Sequence, residues 1–178
     1  MCAGGGHCPK SRLHMPSGNL PSCVCYRAIW TVEDGEAVLL TGRMEVADLS
    51  GQPVAGYNDG PFAQAAFSEP WAIVPYDGGF LVSDTGNHVL RYLDLVEEKV
   101  CTGAGTGRAD FCDGTGEQAA FDSPTGLAVD NQGTVYIADT GNGAVYRCQR
   151  SVCRNRGACL RSGYSHDQGP CSSPVWHG

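Results

Sequence analysis

No stretch of this sequence is apolar for the roughly 18 residues that a bilayer-spanning helix requires. The N-terminal run MCAGGGHCPKSRLHMPSGNLPSC also lacks the continuous apolar segment of a secretory signal peptide. Basic residues are scarce where they would matter most, because residues 31 to 145 hold 18 acids and 4 bases. Phosphate contacts need clustered Lys and Arg, so nucleic acid is disfavoured as a partner of that segment. Histidine is equally thin, with His88 alone between His14 and His166. Catalytic zinc takes three protein ligands, which a single histidine cannot supply. Nucleophile and nucleotide motifs are missing as well: there is no G-x-S-x-G, H-E-x-x-H or P-loop, and no G-x-G-x-x-G following a strand. The nearest approach, GAGTGRADF at 103 to 111, leads toward Asp110 and Asp113, whose charges oppose a pyrophosphate, and reads as a glycine-rich turn. No catalytic residue, cofactor or metal ligand is therefore nominated.

What is abundant is glycine, at 25 of 178 residues, set between short runs of Val, Ile, Leu and Tyr. Asp-Gly, Asn-Gln-Gly and Gly-Gly punctuation between such runs predicts many short strands joined by tight turns, hence an all-β chain. The ends differ from the middle. Residues 1 to 30 carry 3 bases and no acid, and residues 146 to 178 carry 5 arginines and one acid. Cysteine divides the same way, with Cys2, Cys8, Cys23 and Cys25 in the first segment and Cys148, Cys153, Cys159 and Cys171 in the last. Such a count suits disulfides in an oxidising compartment, or zinc if paired ligands are close; the spacings here decide for neither. The expected organisation is an irregular Cys/Gly-rich segment at 1–26, a repeat region at 27–147, and a disordered Arg/Cys-rich tail at 148–178.

The repeat itself is explicit. DTGNHVLRY at 84 to 92 returns as DTGNGAVYR at 139 to 147, and the residues before each copy share Asp-Gly, Gln-Ala-Ala-Phe, a proline and two apolar runs. The separation is 54 residues from Phe67 to Phe121 and 55 from Asp84 to Asp139. A period of this size is what stacked units such as propeller blades leave in a sequence. In the first copy WAIVPY (71–76), FLVSD (80–84), VLRYLDL (89–95) and KVCTGAG (99–105) make four antiparallel strands; in the second, GLAVD (126–130), TVYIAD (134–139) and AVYRC (144–148) make three. Both faces of TVYIAD are largely apolar, so the sheets are expected to stack. The blades fall at 57–105, complete, and 106–147, incomplete. A degenerate one lies at 27–56, where RAIWTVEDGEAVLLTGR parallels WAIVPYDGGFLVSDTGN.

Within each copy the Asp-Thr-Gly-Asn turn is expected to act as a hairpin hinge. Gly86 and Gly141 are expected to adopt positive φ, Asn87 and Asn142 to tolerate it, and Asp84 and Asp139 to accept backbone N–H bonds across the turn. Phe67 and Phe121 are expected to anchor a loop containing one helical turn, each contributing about 1.5–3 kcal/mol on burial. Pro70 and Pro124 open the next strand, at a position where no ladder donor is needed. Cys101 and Cys112 stand at the two ends of a glycine-rich loop within expected reach of one another. A bridge between them would close about a dozen residues and stabilise the fold by up to about 3 kcal/mol.

The run from about 54 to 147 resembles NHL repeats, the β-propeller blades whose signature stands here as Asn87-His88-Val89-Leu90 and, without its histidine, as Asn142-Gly143-Ala144-Val145. The resemblance is to bacterial secreted or surface proteins carrying the long DG…QAAF…P loop. It implies a partial β-propeller of four-stranded antiparallel blades, and an extracellular or cell-surface setting. Closed propellers have typically four to eight blades, so an open fan is expected, with further blades supplied by a longer chain or by another copy. It further implies a non-catalytic scaffold binding a protein or carbohydrate partner through its blade-rim loops. The alternative it implies is part of a six-bladed propeller enzyme, a metal-dependent lyase or hydrolase.

Overall fold

The computed structural model describes residues 23–25, 27–43, 49, 55–148 and 158–161. It is an open array of three antiparallel sheets. The elements are β1 (Cys23–Cys25), β2 (Ala28–Glu33), β3 (Glu36–Thr41), β4 (Gly60–Pro61), β5 (Pro70–Tyr76), β6 (Gly79–Asp84), β7 (Val89–Asp94), β8 (Lys99–Ala104), β9 (Gly114–Thr115), β10 (Pro124–Val129), β11 (Val135–Asp139), β12 (Ala144–Cys148) and β13 (Ala158–Arg161). Helix among the described residues is limited to the 3-10 turns Thr85–Asn87 and Gly116–Gln118.

The first sheet runs β1-β2-β3, the middle blade β4-β8-β7-β6-β5 and the last blade β10-β11-β12-β13-β9. Local chemistry sets the hairpins. Asp34-Gly35 and Asp77-Gly78 both take positive φ at both turn positions (50° and 85°; 48° and 81°), the geometry that matches the right-handed twist of the flanking strands. The β10–β11 connection is longer and is held by Asp130, whose Oδ1 accepts the N–H groups of Gln132 (2.9 Å) and Thr134 (2.8 Å). Those bonds hold its carboxyl below the usual carboxylate range.

Burial follows strand alternation. On one face of the middle blade, Ile73, Phe80, Val82, Leu93 and Val100 form a core with Ile29 of the first sheet and with Ala65 and Phe67 of the loop that precedes β5. On the other face, Leu81, Leu90 and Tyr92 meet Phe121, Val135, Ile137 and Tyr146 of the last blade. The middle blade is thus covered on both sides, and the strands β5 and β6 pack directly against β10. Among the described residues the last blade is covered on one side, and Tyr136 and Val145 on its other face are 36% and 47% exposed.

Strand limits read from the sequence match the middle blade to within a residue or two. Three features depart from expectation. Within the range expected as a tail, β12 runs to Cys148 and Ala158–Arg161 forms β13, which pairs with it, so the last blade is not a three-strand unit. Without β13 the N–H and C=O groups of Tyr146, Arg147 and Cys148 would lie on an open edge, the situation sheets avoid. The segment 1–26, expected to be irregular, contributes β1, which pairs with β2. Third, the DG…QAAF loop adds a short outer strand to each blade, β4 on β8 and β9 on β13. The remaining expectations for 1–22, 149–157 and 162–178 lie outside the described residues.

Candidate functional site

The two repeat copies build the same clasp at the same end of their blades. In the middle blade Asp84 is fully buried; its Oδ1 accepts the Ser68 N–H (2.7 Å) and its Oδ2 accepts from Asn87 Nδ2 (2.8 Å). Asn87 Nδ2 also donates to Gly56 O (2.8 Å). In the last blade Asp139 Oδ1 accepts the Asp122 N–H (2.7 Å), Oδ2 accepts from Asn142 Nδ2 (2.8 Å), and Asn142 donates to Asp110 O (2.8 Å). Oδ2 of each carboxylate thus braces its own turn through the asparagine side chain, while Oδ1 ties the hairpin to the loop that precedes the blade, in place of the turn N–H groups that the sequence suggested. Burial pushes the Asp139 carboxyl above its usual range, and pushes that of Asp84 up to about 6 despite the opposing bonds from Asn87, Arg91 and Ser68.

The glycines of the turn also differ from expectation. Neither Gly86 nor Gly141 has positive φ; the left-handed residue is the next but one, His88 (56°) and Gly143 (58°). Gly86 and Gly141 are required for close approach instead. Their N–H groups donate to Ser68 O and Asp122 O (both 2.8 Å). A Cβ on Gly86 would lie 2.5 Å from Ser68 Oγ, and one on Gly141 would lie 2.7 Å from Asp122 O.

A residue the sequence reading passed over completes the first clasp. Arg91 is wholly buried, sandwiched 5.0 Å from both the Tyr57 and the Phe67 ring centres. Its NH1 donates to Asp84 Oδ2 (2.9 Å) and Ala66 O (3.0 Å), and NH2 to Asp59 Oδ1 (2.7 Å) and Asn58 O (2.7 Å). Its Nε has no partner among the described residues. The equivalent station in the last blade is Tyr146, whose hydroxyl donates to Ala120 O (3.2 Å) and whose ring meets Phe121 edge-on at 5.0 Å. One blade fills the space with a cation and two carboxylates, the other with a phenol.

Adjacent blades are joined along a polar seam at this end. Ser83 Oγ accepts the Ala72 N–H (2.9 Å) and donates to Thr125 O (2.8 Å), and Thr85 Oγ1 donates to Pro124 O (2.6 Å). His88 Nδ1 accepts the Ser123 N–H (3.0 Å), with Asp122 Oδ1 3.5 Å away. The repeat histidine is thus an inter-blade contact. No three His, Cys, Asp or Glu side chains are grouped to hold a metal ion among the described residues.

The same end presents an exposed rim. A bulge between Pro70 and Ile73 sets Trp71 and Ala72 against Ser83. Bulges re-aim side chains, and Trp71 stands 54% exposed. The last blade repeats the irregularity between Pro124 and Gly126, where Thr125 Oγ1 lies 2.6 Å from Thr140 Oγ1. Cys101 and Cys112, expected as neighbours, are not bonded to each other: Cys101 is a free thiol and Cys112, like Cys148, is in a disulfide. The physical reason is the path of the chain, since Cys101 remains in β8 beside Tyr92 whereas the intervening loop carries Cys112 into the next blade, against Ala120. Burial raises the pKa of the Cys101 thiol.

Comparison with known families agrees with this geometry. The NHL repeat family model matches residues 121–145, which hold the last blade's clasp from Phe121 through Asn142. The last blade is an NHL repeat. Over 128 residues, 62% of the chain, the sequence is 36% identical to human NHL repeat-containing protein 2, of which it covers 18%. Over 91 residues, 51% of the chain, it is 37% identical to Protein SUPPRESSOR OF QUENCHING 1, chloroplastic, of Arabidopsis thaliana, of which it covers 9%. The chain therefore spans less than a fifth of the length of either relative. Among solved structures, an auxiliary nutrient binding protein from Bacteroides ovatus superimposes with a TM-score of 0.58 over 77% of this chain and 33% of that one, at 22% identity. A protein of unknown function from Bacteroides thetaiotaomicron gives 0.58 over 68% and 30%, at 26% identity. At these identities the structural likeness speaks to the propeller fold alone.

Proposed function

We propose that the NHL blades are a non-catalytic scaffold that presents the clasp-side rim to a carbohydrate ligand. The observation that carries the reading is Trp71, a large aromatic held 54% exposed by the bulge at the start of β5. Beside it, Ser83 ties the start of β5 to Thr125, and the hydroxyls of Thr125 and Thr140 pair on the next blade. A flat apolar ring next to hydroxyls suits a sugar, which offers a C–H face for the ring and hydroxyls for hydrogen bonds; tryptophan combines an apolar body with a polar handle at such sites. The naming of a fold neighbour as a nutrient binding protein supports a ligand-binding role. Glycan binding measured by isothermal titration calorimetry tests the reading. Trp71→Ala is expected to abolish binding without moving the unfolding midpoint. Binding that survives the substitution would refute it, and peptide binding lost with Trp71 would put a protein partner in place of the glycan.

The open face of the last blade supports a second element of this reading. Tyr136 and Val145 occupy the stations of Leu81 and Leu90, which are fully buried in the middle blade. A further blade, from a longer chain or another copy, would cover them as the last blade covers Leu81 and Leu90.

A further inference from the structure

We propose that Asn142 is a covalent modification site, a spontaneous deamidation point that acts as a one-way latch on the last blade. The two Asp-Thr-Gly-Asn turns differ at the residue that follows the asparagine, His88 in the first and Gly143 in the second. Both require a left-handed residue after the Asp-Thr-Gly-Asn turn, at φ 56° in the first and 58° in the second. The first copy places His88 there, and a side chain in that region is under conformational strain. The second places Gly143, which adopts the conformation freely and has nothing within 4 Å of where its Cβ would stand. Relief of strain has a chemical consequence, because Asn142 is now followed by the residue that least hinders attack on its side chain.

In that reaction the Gly143 backbone nitrogen loses its proton and attacks Asn142 Cγ. The new N–Cγ bond closes a five-membered succinimide as the Cγ–Nδ2 bond breaks and ammonia leaves. Water then opens the ring at either carbonyl, giving an aspartyl or an isoaspartyl residue. No oxidant or enzyme is needed. At Asn87 the branching bulk of His88 obstructs the same closure.

The folded clasp opposes every step. Asn142 Nδ2 is held by Asp139 Oδ2 and Asp110 O, both at 2.8 Å, and the Gly143 N–H is occupied by Thr140 O at 3.2 Å. The attacking nitrogen and the leaving amide are thus both engaged until the hairpin opens, an event available to peripheral units at less than the global unfolding free energy. The last blade of this chain, where Tyr136 and Val145 stand exposed among the described residues, is such a unit. Once formed, the product cannot re-engage. A carboxylate at 142 has no hydrogen to donate to Asp139 or Asp110, and it faces the buried Asp139 carboxyl with like charge. Closing is then disfavoured where opening had been reversible.

The test is ageing of the full chain at mildly alkaline pH and body temperature, with peptide mapping and isoaspartate detection by isoaspartyl methyltransferase. Asn142 is expected to convert while Asn87 does not, faster in urea than in buffer, and the converted fraction is expected to unfold at lower temperature. Gly143→His, which restores the first copy's pair, should suppress conversion while leaving the clasp closed; Asn142→Asp should reproduce the lowered midpoint without ageing. Conversion at Asn87 as fast as at Asn142, equal rates in urea and buffer, or an Asn142→Asp chain as stable as the parent would each overturn the proposal. Glycan binding at Trp71 plays no part in these readouts.

Discussion

Replacing Arg91 by alanine tests whether the first clasp is held by a buried cation. The side chain makes four hydrogen bonds, to Asp84, Ala66, Asp59 and Asn58, and fills the space between Tyr57 and Phe67. Removing it leaves the Asp84 carboxyl buried without its cation, takes the Arg91 donor from the Ala66 and Asn58 carbonyls, which keep only each other's backbone N–H (3.5 and 3.2 Å), and opens a void between two rings. Breaking a buried ion pair by deleting one partner costs about 3–5 kcal/mol. For a chain of this size each kcal/mol moves the unfolding midpoint by about 2–4 °C, so a fall of roughly 6–20 °C is expected. Urea unfolding followed by tryptophan fluorescence, with an unchanged m-value, would report the same loss as a shift in midpoint. Arg91→Tyr should be milder than Arg91→Ala. It copies the last blade, where Tyr146 reaches Ala120 O and meets Phe121 edge-on while Asp139 is satisfied by Asp122 and Asn142. A cost for Arg91→Ala below about 1 kcal/mol, the value of an exposed pair, would refute the reasoning, as would a tyrosine variant less stable than the alanine one.

Acidification should separate the parent chain from Asp84→Asn. Burial raises the folded carboxyl to about 6 from an ordinary value of 3.8, so the folded state holds the proton more tightly than the unfolded one. The stability this contributes is present in full below about pH 4 and is lost as the pH rises through about 6. The parent's advantage over Asp84→Asn should therefore grow as pH falls across that window, and urea midpoints that stay parallel or converge on acidification would contradict it. Gly141→Ala should cost about 1–3 kcal/mol by overpacking, because its Cβ would meet the Asp122 carbonyl at 2.7 Å; calorimetry showing an unchanged midpoint would remove the close-approach role. Gly86→Ala should cost a similar amount, since its Cβ would meet the Ser68 hydroxyl at 2.5 Å, which can turn away, and the Ser68 carbonyl at 2.9 Å, which cannot.

The sequence by itself determined the all-β class, the blade period and most strand limits. Those features are local: Asp77-Gly78 closes a two-residue hairpin wherever it stands, and Pro70 and Pro124 mark strand starts because neither can donate to a ladder. Only the tertiary structure decided what the repeated residues do. Gly86 and Gly141 looked like conformational hinges, yet each is glycine because the carbonyl of a residue 18 or 19 positions earlier approaches it, and such an approach leaves no trace in the neighbouring residues. Arg91 and Tyr146 share no chemistry, so pattern matching could not pair them; their equivalence appears only where each reaches the same loop carbonyl, Ala66 O or Ala120 O. Cys101 and Cys112 were placed together by their spacing, but one stays in its strand while the other crosses to the next blade. The rim followed the same logic, since a bulge set by the register of β5 on β6, and not by the identity of Trp71, is what carries that ring into solvent.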